Sequence, residues 1–226
     1  MNRRAFVITA GAAVAALPFL PHLPGARPAF QARPLTAEQR RRRAFPNVTL
    51  RTHDGRDVHF YDDLLKDKTF LLHFMYTRCR DGLCVPTVAN LARVEKALKG
   101  RVGRDVFMYS ITLDPTHDTP DVLRKYRAHF TENPGWVFLT SDKPPRIERI
   151  RRALGFVRRD PALDADPASH LGYVKMGIEP LERLCSAPGR LRASTLADYL
   201  RWMEPNGARP TPWMLVSRGN RILQRA

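Results

Sequence analysis

The chain has 226 residues, a hydrophobic fraction of 43% and a charged fraction of 27%, which is typical of one soluble globular domain with an appendage. This composition excludes a disordered, a collagen-like or a multi-span membrane protein. The formal net charge is +16, of which residues 1–43 contribute +7 through eight Arg and one Glu. The remaining basic residues follow no Arg-rich or aromatic-interleaved motif, so the charge favours solubility or attraction to anionic lipid and argues against nucleic-acid binding.

The N-terminal segment is typical of an export signal. Arg3 and Arg4 precede an apolar run from Phe6 to Leu20, which prolines close. The run holds 15 residues, fewer than the roughly 20 that span a bilayer. The paired arginines resemble a twin-arginine signal. We therefore predict an export signal over residues 1–32, either cleaved or kept as a membrane anchor, then a basic linker over residues 33–44 and an extracytoplasmic, for example periplasmic, domain.

From Phe45 onward, short β-rich runs alternate with helical patterns, which predicts an α/β domain with a central, mainly parallel sheet. The dipeptide Asp54-Gly55 predicts an N-terminal β-hairpin. Thr69–Tyr76 is almost continuously apolar, as in a strand buried on both faces. The other expected elements are strands over Asp105–Leu113, Trp136–Leu139 and Leu171–Ile178, and helices over Asn90–Leu98, from the Thr119 cap to Phe130, over Pro145–Leu154 and from the Ser194-Thr195 cap to Met203, with a loop over Asp160–Ser169.

This order predicts a thioredoxin-like domain over residues 45–204 with a hairpin extension at its N-terminus. Residues 205–226 form a C-terminal extension, in which Thr211–Val216 predicts an added edge strand.

Two of the three cysteines point to a site rather than to a disulfide scaffold. Cys79 and Cys84 lie in the loop that leaves the central strand and enters a helix, where open α/β sheets place their ligands. The helix N-terminus, Arg78 and Arg80 favour the thiolate, which binds metal or attacks a disulfide. A continuous helix would separate the two side chains by about 140°. The pair therefore converges only if the segment is a loop, and Gly82 can supply the reversal.

Three motifs, in their order and spacing, resemble the Sco/SenC family of thioredoxin-fold copper proteins. They are Phe74-Met75-Tyr76-Thr77-Arg78-Cys79 with Cys84 and Pro86, Thr112-Leu113-Asp114-Pro115 with Asp118-Thr119-Pro120, and a lone His170 before a late strand. The resemblance covers about residues 45–203. It implies that Cys79, Cys84 and His170 bind copper and that the protein helps to build the binuclear copper centre of cytochrome c oxidase. The implied partners are a copper-accepting oxidase subunit and a thiol reductant protein.

The sequence departs from the family pattern in the cysteine loop. Four residues separate the cysteines where the family usually has three, and Val85 displaces the proline that usually follows the second cysteine. Two thiolates and one imidazole still form a soft set of low coordination number that suits cuprous copper, whereas structural zinc takes a fourth ligand. Cupric copper can also be held by such a set.

Two other functions remain open at this point. In a thiol-disulfide oxidoreductase, Cys79 would be the attacking thiol and Cys84 the resolving thiol. A degenerate binding module would have lost the chemistry of the site, and the altered spacing between the cysteines would be a sign of that loss. His170 separates copper delivery from disulfide exchange, because exchange needs no imidazole at that position.

Other polar residues near the motifs have simpler interpretations. Asp114 is a candidate for orienting a ligand or fixing the loop. His73 lies within an apolar strand and is interpreted as a hydrogen-bonded core histidine. His117 and Asp118 are interpreted as turn or capping residues. Cys185 is interpreted as a buried, inert thiol.

Overall fold

A mixed β-sheet of seven strands forms the centre of the computed structural model, which describes residues 34–79, 82–166 and 172–207. The order across the sheet is β2-β1-β5-β4-β3-β6-β7, with β3, β4 and β5 parallel and the outer pairs antiparallel. The predicted thioredoxin-like α/β fold is confirmed, and its parallel part is the three central strands. The strands are β1 (Thr49–Thr52), β2 (Asp57–His59), β3 (Thr69–Met75), β4 (Val106–Thr112), β5 (Trp136–Thr140), β6 (Tyr173–Ile178) and β7 (Arg183–Pro188).

Helices cover both faces of the sheet. They are α1 (Ala37–Ala44), α2 (Cys84–Ala97), α3 (Pro120–Ala128), α4 (Pro144–Ala153), α5 (Pro161–Ala165) and α6 (Ala193–Met203), with one π-helical turn over Phe60–Leu65. Helix α3 begins as predicted, because the Thr119 side chain accepts a hydrogen bond from the Val122 amide and Pro120 occupies the first turn.

Two hydrophobic cores lie on the two faces of the sheet, because alternate side chains of a strand point to opposite faces. We call them the α2 core and the α4 core. Leu71 and Met75 of β3 enter the α2 core, which also contains side chains of α2, α3 and α6. Phe70, Leu72 and Phe74 enter the α4 core, with the π-helical turn and α4. The continuous apolar run of β3 thus serves both cores, as the sequence predicted.

The segment predicted as a basic linker contains helix α1. Thr36 and Gln39 form a reciprocal capping box at its start. Ion pairs connect α1 to the rest of the fold, from Arg40 to Glu182 at 3.0 Å and from the Arg41 Nε atom to Glu179 at 2.7 Å. These partners are about 140 positions away in the chain, so the sequence around residues 33–44 gives no direct sign of them.

Three further elements differ from the sequence prediction. Helix α2 begins at Cys84, six residues before the predicted start. Helix α5 occupies part of the predicted loop, because Asp160 caps it and Pro161 suits its first turn. Strand β7 was not predicted; its side chains are mostly exposed or half-buried, and among the described strands it pairs only with β6. The predicted strand over Thr211–Val216 and the export signal lie outside the described residues.

No helix in the described part of the chain combines the length and the apolar character that a bilayer crossing requires.

Candidate metal centre

The two cysteines meet at the start of helix α2. The backbone N–H of Cys84 donates a hydrogen bond to the Sγ atom of Cys79 across 3.3 Å. Gly82 has a φ of 72°, the left-handed conformation that glycine adopts at no steric cost. The predicted reversal between the cysteines is therefore present, with Cys79 before the helix and Cys84 as its first residue.

The two sulfurs differ in exposure. Cys84 is buried in the α2 core with 1% of its surface exposed, whereas Cys79 is partly exposed and packs against that core. Both carry thiols in this structure. The first turn of α2 points an N–H group at the Cys79 sulfur, which is how helix N-termini hold anions. The arrangement suits a pair of thiolates that is accessible from one side.

Asp118 fixes the loop that carries Cys79. Its carboxylate is fully buried and accepts hydrogen bonds from the backbone N–H of Thr77 at 3.1 Å and from the hydroxyls of Thr77 and Thr112. Thr77 lies two residues before Cys79 and Thr112 ends β4, so Asp118 ties the cysteine loop to the neighbouring strand. The interpretation of Asp118 as a turn or capping residue missed this contact. The sequence around Asp118 shows only an acidic residue before a helix cap, and Thr77 is 41 positions away.

Asp114 contacts the residue beside Cys79. Its Oδ2 atom accepts a hydrogen bond from the Arg78 guanidinium at 2.7 Å, and its Oδ1 atom accepts one from the Thr116 hydroxyl at 2.8 Å. Burial acts to raise the pKa of Asp114, but these hydrogen bonds outweigh it and hold the pKa below the ordinary 3.8. The carboxylate thus stays charged at neutral pH and restrains the backbone next to the cysteine.

The remaining candidate residues lie in three different settings. His170 lies outside the described residues, and within those residues no group of three or more His, Cys, Asp or Glu side chains is arranged to hold a metal ion. His73 is buried and shares a 2.7 Å hydrogen bond with the Ser110 hydroxyl, as expected of a core histidine. Cys185 lies on the edge strand β7, where burial raises the pKa of its thiol despite the Lys175 ammonium.

These features define the class of this protein, which is a thioredoxin-like domain with a cysteine pair between strand β3 and helix α2. A family model described as SCO1/SenC matches residues 37–173. The match spans more than half of the chain, and the chain belongs to the SCO1/SenC family.

Individual relatives agree with this assignment. The chain is 32% identical over 103 residues to a SCO1 protein homolog of Bacillus subtilis, covering 45% of this chain and 51% of that protein. ScoI of Bradyrhizobium japonicum, solved with copper bound, superposes with a TM-score of 0.54 at 22% identity, covering 69% of this chain and 96% of that one.

A third relative, BsSco, has a TM-score of 0.54 at 24% identity, covering 68% of this chain and 88% of that one. It is described as having a disulfide switch and as a member of the Sco family of cytochrome c oxidase assembly proteins. These structural likenesses show the fold. The chain spans about half the length of the curated relatives it matches.

Proposed function

We propose that this chain is an exported copper metallochaperone that holds one copper ion between Cys79, Cys84 and His170 and delivers it to a copper centre such as that of cytochrome c oxidase. The contact that carries the proposal is the hydrogen bond from the Cys84 backbone N–H to the Cys79 sulfur, because it brings both sulfurs to one helix terminus. Two sulfurs and an imidazole are soft donors, and such a set prefers cuprous copper to magnesium or calcium.

The position of Gly172 supports the assignment of His170. The described chain resumes at Gly172, whose carbonyl accepts a hydrogen bond from Gly189 at 2.8 Å. A Cβ atom placed on Gly189 would lie 2.7 Å from the Cγ2 atom of Thr87, in the first turn of α2. Gly172 is thus close to the start of the helix that Cys84 begins. Two residues of chain reach at most about 7 Å, so the length of chain between Gly172 and position 170 permits the proposed ligand.

Anaerobic titration of the reduced, full chain with cuprous ion tests the proposal. We expect the protein to bind one equivalent of copper and to retain it in competition with a chromophoric chelator. In His170→Ala the affinity for cupric ion should fall more than the affinity for cuprous ion, because two thiolates alone can bind cuprous copper linearly. A parent protein that retains no stoichiometric copper would contradict the proposal, and unchanged binding of both oxidation states in His170→Ala would remove the histidine from the ligand set.

Disulfide exchange is the second candidate function, and the proximity of Cys79 to Cys84 favours it. The Cys79 thiolate would attack a partner disulfide, and Cys84 would then displace the reduced partner. The partner gains two electrons and two protons while this chain becomes a disulfide, which a thiol reductant must reduce again. His170→Ala should leave the rate of exchange with a model disulfide within a few-fold of the parent.

The same cysteine geometry makes a prediction about oxidation. Mild oxidation should join Cys79 to Cys84 and leave Cys185 as a thiol. A disulfide between Cys79 and Cys84 requires that their Cα atoms come within about 7 Å. Peptide mapping of the oxidised protein identifies the bridge. A bridge from Cys185 to either partner would contradict the assignment.

Export belongs to the same proposal and depends on Arg3 and Arg4 before the apolar run. Replacing both by lysine keeps the charge and should block a receptor that reads arginine. Cell fractionation measures the exported share, with Arg27→Lys, which lies after the run, as the matched control. Normal export of the twin-lysine variant would instead indicate the general secretory route, with the N-terminus as signal or anchor.

A further inference from the structure

Helix α4, the loop after it and helix α5 line a cavity of about 500 Å³, which we call the arginine cavity. The guanidinium groups that line it outnumber the carboxylates, so the cavity is positively charged. Planar guanidinium groups bind carboxylate or phosphate oxygens in pairs. The cavity therefore has the chemistry of a site for an anionic partner. Its charged residues are Arg151, Arg152, Arg158, Arg159, Glu148 and Asp164.

One of these arginines holds the walls of the cavity together. The Arg151 guanidinium donates hydrogen bonds to both oxygens of Asp164 at 2.7 Å and to both oxygens of Glu148 at 2.7 Å and 2.9 Å. It also donates to the Phe156 carbonyl at 2.5 Å. The Arg151 side chain is only 12% exposed. Both carboxylates of the cavity are thus engaged by an arginine that serves the fold, and they do not cancel the charge of the others.

Two arginines stand at the rim of the cavity. Arg158 and Arg159 are both exposed, and among the described residues none forms an ion pair with Arg159. The backbone N–H of Arg158 donates to the Asp164 carboxylate at 2.7 Å, which fixes the chain at this point. Exposed apolar side chains flank the two arginines, Val157 at 37% and Leu163 at 47%. Arginine beside exposed apolar side chains is typical of a protein-protein interface.

The cavity is close in the chain to a proposed copper ligand. Ala165 lines the cavity and precedes His170 by five positions. Five residues of chain span at most about 18 Å. A partner bound in the cavity therefore lies near the segment that leads to the proposed copper site.

The shape of the cavity favours a protein partner over a membrane. A bilayer is contacted by side chains that project from a protein surface into the headgroup region. The charged groups here line a concavity instead, which receives side chains that project from a partner. The partner chemistry that fits is a protruding segment with acidic side chains.

We propose that the arginine cavity docks an acidic segment of the protein that accepts copper from this chain. This inference rests on the proposed function. Arg158 and Arg159 pair with carboxylates of the acceptor and hold it beside the copper site. Copper then moves as the cuprous ion by exchange of ligands, so no electron is transferred, and the sulfurs that it leaves take up protons from water.

The test measures copper transfer from the full, reduced, cuprous-loaded chain to the metal-free soluble domain of cytochrome c oxidase that holds the binuclear copper centre. It compares the parent with Arg158→Glu/Arg159→Glu. The matched control, Arg93→Glu/Lys96→Glu, makes the same change of charge at exposed positions of α2, on the other face of the sheet.

Charge complementarity raises association rates by roughly 10- to 1000-fold. We expect transfer by Arg158→Glu/Arg159→Glu to be slower by at least roughly tenfold at low salt, and the control to lose far less. The parent rate should fall as the salt concentration rises from about 10 to 150 mM, because the screening length shrinks from about 30 to 8 Å. The rate of the glutamate variant should not fall.

Further measurements separate docking from metal binding and from folding. Cuprous affinity, measured by chelator competition, should be equal in the parent and the glutamate variant, because neither arginine is a proposed copper ligand. Arg158→Ala/Arg159→Ala removes the charges without placing acids beside Asp164, and it should also slow transfer if the glutamate variant is unstable.

Equal transfer rates in the parent and these variants, or an equal loss in the control, would overturn the docking site. Binding to phosphatidylglycerol vesicles that the glutamate variant loses while its transfer rate is unchanged would assign the cavity to a membrane and overturn the acidic protein partner. Calorimetric binding of the metal-free chain to the oxidase domain requires no copper. A parent that binds this domain but no copper would contradict the proposed function alone, and a parent that binds copper but not the domain would overturn the docking site alone.

Discussion

Two buried polar regions of this domain, one on each side of the sheet, are completed in different ways. In the first, the buried carboxylate of Glu179 accepts hydrogen bonds from the Tyr61 hydroxyl at 2.7 Å and the Asp67 amide at 2.9 Å, and it pairs with Arg41. In the second, at the start of α2, the Cys79 sulfur accepts a hydrogen bond from the Cys84 backbone N–H and remains partly exposed.

The difference fits a division in which the Glu179 region serves the fold and the start of α2 serves the proposed copper site. Every oxygen of the Glu179 carboxylate has a partner within the chain, so that region is complete when the protein folds. At the start of α2, by contrast, the Cys79 sulfur stays partly exposed, as the proposed copper site requires. Variants in the two regions should therefore affect different measurements.

The largest effect is expected for the cysteines themselves. In Cys79→Ser or Cys84→Ser a hydroxyl replaces a thiolate, and a hydroxyl is a poor ligand for a soft ion. The loss of cuprous affinity should exceed the roughly 100-fold that loss of an outer partner can cost. Chelator competition measures the affinity, and Cys185→Ser should bind as the parent does. If either single variant holds copper as well as the parent, the copper site lies elsewhere.

The largest effect on stability is expected on the opposite side, at Glu179. Glu179→Ala leaves the Tyr61 hydroxyl and the Asp67 amide without their acceptor and removes the partner of Arg41. Loss of one partner of a buried ion pair costs about 3–5 kcal/mol of the free energy of unfolding. Denaturant unfolding checks this value. Glu182→Ala, which removes a more exposed carboxylate paired with Arg40, should change stability far less; equal effects of the two variants would contradict the comparison.

Asp118→Asn should act on the cysteine side. The amide has one acceptor oxygen in place of two, so it cannot accept all the hydrogen bonds from Thr77 and Thr112. The loop before Cys79 then loses its attachment to β4, and we expect cuprous affinity to fall roughly 10- to 100-fold. Asp121→Asn, an exposed residue of the same helix paired with Arg124, is the matched control. If Asp118→Asn and Asp121→Asn bind cuprous copper with the same affinity, the role of Asp118 is refuted.

A pair of tyrosine variants sharpens the contrast between the regions. Tyr61→Phe removes a hydrogen bond to a buried carboxylate and should lower the free energy of unfolding of the metal-free protein by about 1.5–3 kcal/mol. Tyr126→Phe, on α3, should lower it less, because the Tyr126 hydroxyl has no hydrogen-bond partner among the described residues. Thermal or denaturant unfolding of both variants under the same conditions gives the comparison. Equal destabilisation would mean that the Tyr126 hydroxyl has a structural partner.

The smallest effect is expected for the Arg78–Asp114 pair. The Arg78 side chain is 60% exposed. Solvent screening therefore limits the contribution of this ion pair to the free energy of unfolding to less than about 1 kcal/mol. Because the pKa of Asp114 is lower in the folded state than its ordinary 3.8, the stabilisation is present above that value and disappears as the pH falls through the lowered pKa. The stability difference between the parent and Asp114→Asn should thus be measurable at neutral pH and vanish in strong acid. A difference that grows in acid would have the wrong sign for this mechanism.

Local patterns determined much of the fold. The apolar run of β3, the turn residues Asp54 and Gly55, and the cap at Thr119 specify their conformations through neighbours in the chain. The sequence therefore predicted the hairpin, the central strands and the start of α3. Strand β7 escaped prediction because an edge strand with exposed positions, such as Leu184, has no continuous apolar run. Its structure depends on pairing with β6.

By itself, the sequence determined which residues carry the chemistry and that the chain must reverse between Cys79 and Cys84, because residue type and the conformational freedom of Gly82 are local properties. Tertiary structure decided what surrounds them. Asp118 reaches Thr77 across 41 positions, and Tyr126 of α3 packs against the same core that contains Cys84 of α2. Hydrogen bonds and burial between distant segments follow from packing, and no local pattern encodes them.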